Sequence, residues 1–263
     1  MSTSTMPTSI AKILAFARAI AIVAAGMVVH AVQAPASATI GSTVVVAEDA
    51  RLDAVAGFTL VQWQEVNNCF GNAVLVAPDR VILPRHLINS TFTARNSIDG
   101  PATDYVVRFR RRPDGGLGIA SDPATFHHVR VARWVFHKDR KATDDVVIGI
   151  LETPVTHITP MVVNFDAKLN RGRLAATVSS WGPDEAGIKG TLRSGDIVLS
   201  KLTSTLAQWR EGVRAILHDS GAAITVTQRD GSQRLVGFVT TSGGGVSVKK
   251  WKNSVIFPKP RRR

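Results

Sequence analysis

From Gly57 onward the chain is divided into short apolar runs that Gly, Pro, Asn and Asp interrupt at close intervals, and this texture favours strands over helices. The runs are Ala73 to Ala77, Val81 to Leu83, Tyr105 to Phe109, Val129 to Phe136, Val146 to Leu151, Ala175 to Val178, Ile197 to Leu202, Ala222 to Val226 and Leu235 to Val239. Most hold five to eight residues rich in Val and Ile, too short for buried helices and bounded by turn formers, so β structure is expected. The spacing predicts one helix, Thr205 to Leu217, where Leu206, Trp209, Val213 and Ile216 fall on one face; a loop is the other reading of that stretch. An all-β sandwich or a pair of barrels follows.

The first 38 residues have a different texture. Lys12 and Arg18 are their only charges, Ala19 to Val29 is an uncharged run of 11 residues, and Ala36-Ser37-Ala38 has the small-x-small pattern of a signal-peptidase site. A spanning helix needs about 20 apolar residues. The segment therefore reads as a secretory signal cut after Ala38, with no membrane anchor left after cleavage, and places the protein outside the cell or in the periplasm. The 225 residues from Thr39 to Arg263 suffice for one all-β domain or two small ones.

Cys69 is the only cysteine, so an exported chain of this kind has no internal disulfide and Cys69 reads as a small buried hydrophobe. No Cys/His cluster has metal-ligand spacing, and adjacent His127 and His128 would point to opposite faces of a strand; neither a metal nor a cofactor is expected. Of the formal charge of +12, Lys12 and Arg18 lie in the leader and seven basic residues lie in the tail, Lys249 to Arg263, which leaves +3 for the body. The tail offers a weak contact to polyanions, a solvated end being the plainer reading.

Three stretches carry chemistry. In Ile216 to Ile224, Ser220 stands between Asp219 and Gly221, with apolar residues on both sides, as a hydroxyl presented on a tight turn. In Gly71 to Leu87 a strand runs into Pro78-Asp79, a second strand follows, and His86 sits at its end, where a histidine can serve as a base. In Asp144 to Val155 two acids open a doubly buried strand; a carboxylate there needs a donor, and a histidine N–H suits it.

Together these stretches resemble the chymotrypsin and trypsin-like serine proteases. Gly71 to Leu87 is similar to the family's strand, Ala-Pro, strand and histidine; Asp145 to Val155 to its Asp-Ile-Ala-Leu-Leu element; Val178-Ser179-Ser180-Trp181-Gly182 to its Gly-Trp-Gly element; His218 to Ala223 to its Gly-Asp-Ser-Gly-Gly-Pro segment. The strand after it resembles Val236 to Ser242, and the order His, Asp, Ser is kept from about Gly57 to Gly245. The resemblance implies two packed six-stranded Greek-key β-barrels with the active site between them, residues 39–160 carrying His and Asp, 161–248 carrying Ser, then a tail from 249. It implies a secreted endopeptidase acting on protein or peptide substrates, with Ser220 as nucleophile, His86 as base and then acid, and Asp145, rather than Asp144, fixing the imidazole tautomer.

The same resemblance places the oxyanion donors on the backbone N–H groups of His218 and Ser220, with His218 in the position of a glycine. Counting back from Ser220 puts Arg214 at the floor of the primary pocket, with Thr240, Thr241 and Ser242 along its wall, which implies cleavage after Glu or Asp; an Arg214 that faces solvent would leave a small polar pocket. Asp219 matches the acid that pairs with a new N-terminal amine in members made as zymogens. The alternatives are a catalytically silent homologue that binds a protein through the cleft, and an exported polyanion binder, whose sign would be steep salt dependence.

Overall fold

The computed structural model describes residues 43–44, 49–63, 69–89, 104–119, 122–136, 145–183 and 190–249. The leader up to Ala38, Asp144 and all of the tail after Lys249 lie outside the described residues. Among those described, no helix is long and apolar enough to cross a membrane.

The first barrel is built from β2 (Val55–Leu60), β3 (Gly71–Ala77), β4 (Arg80–Leu83), β5 (Tyr105–Phe109), β6 (His127–Phe136) and β7 (Val147–Leu151), closed in the order β2-β3-β4-β7-β6-β5. Each apolar run becomes a strand because both of its edges are then paired; closure leaves no unpaired N–H or C=O row. Pro78-Asp79 makes the two-residue connection of the β3–β4 hairpin, with Ala77 paired to Arg80. Inside, Phe58 stacks on Tyr105 at 5.3 Å and meets Trp134 edge-on at 6.0 Å.

The second barrel comprises β9 (Leu174–Ser180), β10 (Arg193–Leu202), β11 (Leu206–Gly212), β12 (Ala223–Thr227), β13 (Gln233–Thr241) and β14 (Gly244–Ser247). Its strands run β10-β11-β14-β13-β12-β9, and a β10–β9 ladder closes the circle. Two short strands join from outside: β1 (Thr43–Val44) pairs with β10, and β8 (Val162–Val163) pairs in parallel with β13. The chain thus touches the second barrel before it builds the first. The all-β, two-barrel architecture expected from the sequence is what the chain adopts.

The expected helix at Thr205 to Leu217 does not form: Leu206–Gly212 is strand β11, and residues 213–217 lead from it into a turn. β11 hydrogen-bonds to β10 on one side and to β14 on the other, and it buries Ala207 and Trp209 while exposing Gln208 and Arg210. Alternation with period two was present in these residues, but Leu206, Trp209, Val213 and Ile216 also satisfied a helical stripe. The barrel needs a strand between β10 and β14, and pairing on both edges outweighs a weak local preference.

The barrels share apolar packing. The core cluster of the first, with Phe58, Leu75, Leu83 and Val107, continues into the second through Trp181, Leu192, Ala223, Leu235 and Phe238. The remainder of the second barrel has its own core around Val178, Ile197, Leu199, Trp209, Ile224 and Val236. Cys69 is buried, as expected. Leu87 fills the space over Gly71, where an added Cβ would lie 2.5 Å from Leu87 Cδ1.

Candidate active site

Antiparallel pairing of β4 with β7 sets Leu83 opposite Val147. His86 lies three residues beyond Leu83 and Asp145 two before Val147, so the ladder delivers both to the same end of the barrel. His86 opens a four-residue helix, His86–Asn89, anchored by buried Leu87 and Ile88.

The Asp145 carboxylate grips this corner twice. Oδ1 accepts the backbone N–H of His86 at 2.8 Å, and Oδ2 lies 2.5 Å from His86 Nδ1. A carboxylate can only accept, so Nδ1 carries the hydrogen and Nε2 is left as an acceptor. Ser220 Oγ stands 2.9 Å from Nε2 and donates to it. The His86 and Asp145 side chains are 40% and 23% exposed, which leaves the ring edge open to an incoming molecule.

Ser220 is carried by the turn before β12. The N–H of Asp219 donates to Ile216 O at 3.0 Å across Leu217 and His218, and His218 has φ of 77°. Leu217 is absent from the positive-φ region, so this is a type II turn, the form that puts positive φ at its third residue and favours glycine there. His218 holds that shape as a non-glycine at a strain of about 1–2 kcal/mol. Gly221 follows with φ of 85°, and a Cβ there would lie 2.0 Å from Asn72 O. Only glycine fits that approach.

The side chain of Asp219 is fully buried. Its Oδ1 accepts the Ser180 hydroxyl at 2.6 Å and its Oδ2 accepts the N–H of Ile216 at 2.8 Å, which ties the turn to the end of β9. Asn72, on β3 of the first barrel, donates its backbone N–H to Ser220 O at 2.8 Å. The histidine and the serine thus come from different barrels, and the cross-barrel bond sets their separation.

Of the other residues named from the sequence, Arg214 is exposed on the segment between β11 and the turn, not on a helix. Thr240 is half-buried at the end of β13, and Thr241 and Ser242 are exposed. His127 and His128 lie apart from the site: His127 packs edge-on to His157 at 4.8 Å, and His128 Nε2 accepts Arg108 Nε–H at 3.1 Å. Burial, with smaller contributions from Arg108 and His127, pushes His128 down to about 4. A groove of about 500 Å³ on the second barrel, lined by Ala176, Thr177, Asp196, Ile197, Glu211 and Thr227 among others, shares no residue with the Ser220 site. Among the described residues no group of three or more His, Cys, Asp or Glu side chains converges.

Asn72 and Ser180 were visible only as members of motifs. Their signal was an asparagine inside the apolar run Gly71 to Ala77, since a polar side chain in a doubly buried strand must be hydrogen-bonded.

Compared with family models, the chain matches none, and compared with curated proteins it has no match.

Proposed function

We propose that the protein is a secreted serine endopeptidase of the trypsin-like type. The observation that carries this reading is the unbroken line of hydrogen bonds from Asp145 through His86 to Ser220, 2.5 and 2.9 Å long, set where two β-barrels meet. Each bond has the direction that nucleophilic catalysis by a serine requires.

In the first step Ser220 Oγ bonds to the scissile carbonyl carbon while its proton passes to His86 Nε2. The carbonyl π electrons move onto oxygen, where the N–H groups of His218 and Ser220 receive the negative charge. The type II turn supports this role for His218, because it keeps the backbone shape that a glycine would take. Collapse breaks the C–N bond, and His86 hands its proton to the leaving amine, leaving an acyl-enzyme on Ser220. Water then attacks the ester carbon with His86 as base; release of Oγ, which takes the proton back, frees the acid product. Asp145 keeps Nδ1–H in place and stabilises the imidazolium at each stage.

Thr240, Thr241 and Ser242 would line the primary pocket, with Arg214 at its rim. The signal-like leader supports export.

A fluorophosphonate probe tests the reading. Ser220 Oγ bonds to phosphorus, fluoride leaves, and the mature protein becomes labelled on Ser220 by mass spectrometry. Ser220→Ala and His86→Ala abolish the label. Labelling that survives either substitution, or none on a folded and processed protein, removes the proposal.

A further inference from the structure

Hydrogen bonds hold the Ser220 turn on both sides of one peptide. Before it, Ile216 donates its N–H to Asp219 Oδ2 at 2.8 Å, and its carbonyl accepts the Asp219 N–H at 3.0 Å. After it, the buried amide of Asn72 braces the turn from the opposite barrel. Asn72 Oδ1 accepts the Trp181 N–H at 2.7 Å, which fixes the amide orientation and leaves Nδ2 to donate to the His218 carbonyl at 3.2 Å. The Asn72 N–H donates to the Ser220 carbonyl at 2.8 Å, Ala222 N–H donates to the Asp219 carbonyl at 2.8 Å, and Gly221 N–H donates to Val239 O at 2.8 Å. Ser180 holds the Asp219 carboxylate.

The Leu217–His218 peptide lies between these anchors. Among the described residues the Leu217 carbonyl makes no hydrogen bond, and the Leu217 side chain is 71% exposed, so no buried side chain at Leu217 has to be repacked when that peptide turns. The orientation of the same peptide sets φ of 77° at His218, in the left-handed region that a Cβ disfavours. Rotating it by about half a turn converts type II to type I, in which the third residue has φ of about −90° and needs no glycine. The bonds named above survive the rotation, because the groups that make them belong to neighbouring peptides. What changes is the face shown to the reacting carbonyl: the His218 N–H swings away from the oxyanion position, and the Leu217 carbonyl oxygen turns toward that side.

We infer that the Leu217–His218 peptide is a two-position switch for the oxyanion site, and that His218 tilts it away from the competent position. The inference rests on the peptidase reading above. A glycine at this position holds the competent turn without cost. A histidine makes that turn conditional: the developing oxyanion, by bonding to the His218 N–H, draws the peptide into the strained orientation. The frame around the switch stays fixed, so the triad is the same in both positions.

The test is the second-order rate of fluorophosphonate labelling of the mature full chain across a series at position 218, with melting temperature recorded for each variant. His218→Gly is expected to label about 5- to 30-fold faster than the parent, the factor gained by removing the left-handed cost. A gain in rate is a readout that a merely structural role does not produce. His218→Asn, whose side chain tolerates the left-handed region, is expected to fall between glycine and the parent. His218→Ala, smaller than asparagine but poorly suited to that region, is expected to label more slowly than His218→Asn. Rates that follow side-chain size, with alanine ahead of asparagine, would mean that the imidazole merely obstructs the probe, and would overturn the inference. So would a folded glycine variant within about twofold of the parent or below it. If His218→Gly melts below the assay temperature, the order of the asparagine and alanine variants decides. A parent that labels while the series fails overturns this inference alone; a parent that does not label overturns the peptidase reading, and this inference with it.

Discussion

The indole N–H of Trp181 donates to the carbonyl of Val55 at 2.9 Å, so a side chain just beyond the end of β9 is hydrogen-bonded into the first strand of the opposite barrel. Trp181 is fully buried, packs edge-on to Phe126 at 5.3 Å, and lies over Gly57, where an added Cβ would be 3.4 Å from the indole. It is the apolar counterpart of Asn72 in joining the barrels.

Trp181→Ala is expected to destabilise the protein by about 3–5 kcal/mol, from lost burial and an unfilled cavity. Trp181→Phe keeps most of the apolar surface and leaves the Val55 carbonyl short of a donor, for about 1–3 kcal/mol. Urea unfolding followed by fluorescence and circular dichroism measures both; equal midpoints for the two variants would show that packing at this position contributes nothing.

Asp145→Asn separates fold from chemistry. The amide oxygen can still accept the His86 backbone N–H, while the NH₂ group faces Nδ1 and turns it into an acceptor. The ring hydrogen then moves to Nε2, which can no longer take the Ser220 proton. Labelling is expected to fall by about 10⁴-fold with little change in melting temperature. A fall of less than tenfold would mean that Asp145 does not select the tautomer.

Stability should depend on pH through histidines outside the site. His128 is pushed down from 6.5 to about 4 by burial, Arg108 and His127, and burial with the neighbouring His157 also lowers His127. A histidine with a depressed folded value binds its proton more readily unfolded, so the stability it contributes is present above about pH 6.5 and is lost as pH falls toward 4. The urea midpoint should decline over that window, and His128→Gln should flatten the decline. An unchanged slope in the variant would place the proton uptake elsewhere.

Arg214 is exposed, which limits what it can do for specificity. A solvent-facing guanidinium contributes about 1 kcal/mol or less to an ion pair, a factor of roughly five in kcat/KM. Preference for Glu or Asp at the cleaved bond should therefore be modest, fall in Arg214→Ala, and fade with added salt. Digestion of a peptide library at two ionic strengths measures it. A loss above a hundredfold would require a desolvated, bidentate contact in place of a rim charge.

Much of this was legible in the amino-acid order because strands and turns are local. Runs such as Tyr105 to Phe109 predicted β5 to the residue, and Pro78-Asp79 marked the β3–β4 hairpin, since alternation and turn chemistry act over a few residues. The three residues now joined by hydrogen bonds were each recognisable in a short segment. Leu206 to Gly212 was not read correctly, because seven residues compatible with either period are decided by the neighbours that β10 and β14 supply.

The amino-acid order by itself determined the all-β class, the lone buried Cys69, and which serine, histidine and carboxylate were worth uniting. Tertiary structure alone decided that β4 and β7 would bring His86 to Asp145, that the second barrel would bring Ser220 to His86, and that Asn72 and Ser180 would brace the turn. Asn72 and Ser180 are separated by 108 positions and His86 and Ser220 by 134. Contacts of that kind leave no period or spacing in the chain; they exist only after two closed barrels have buried a common face and each polar group trapped there has found a partner.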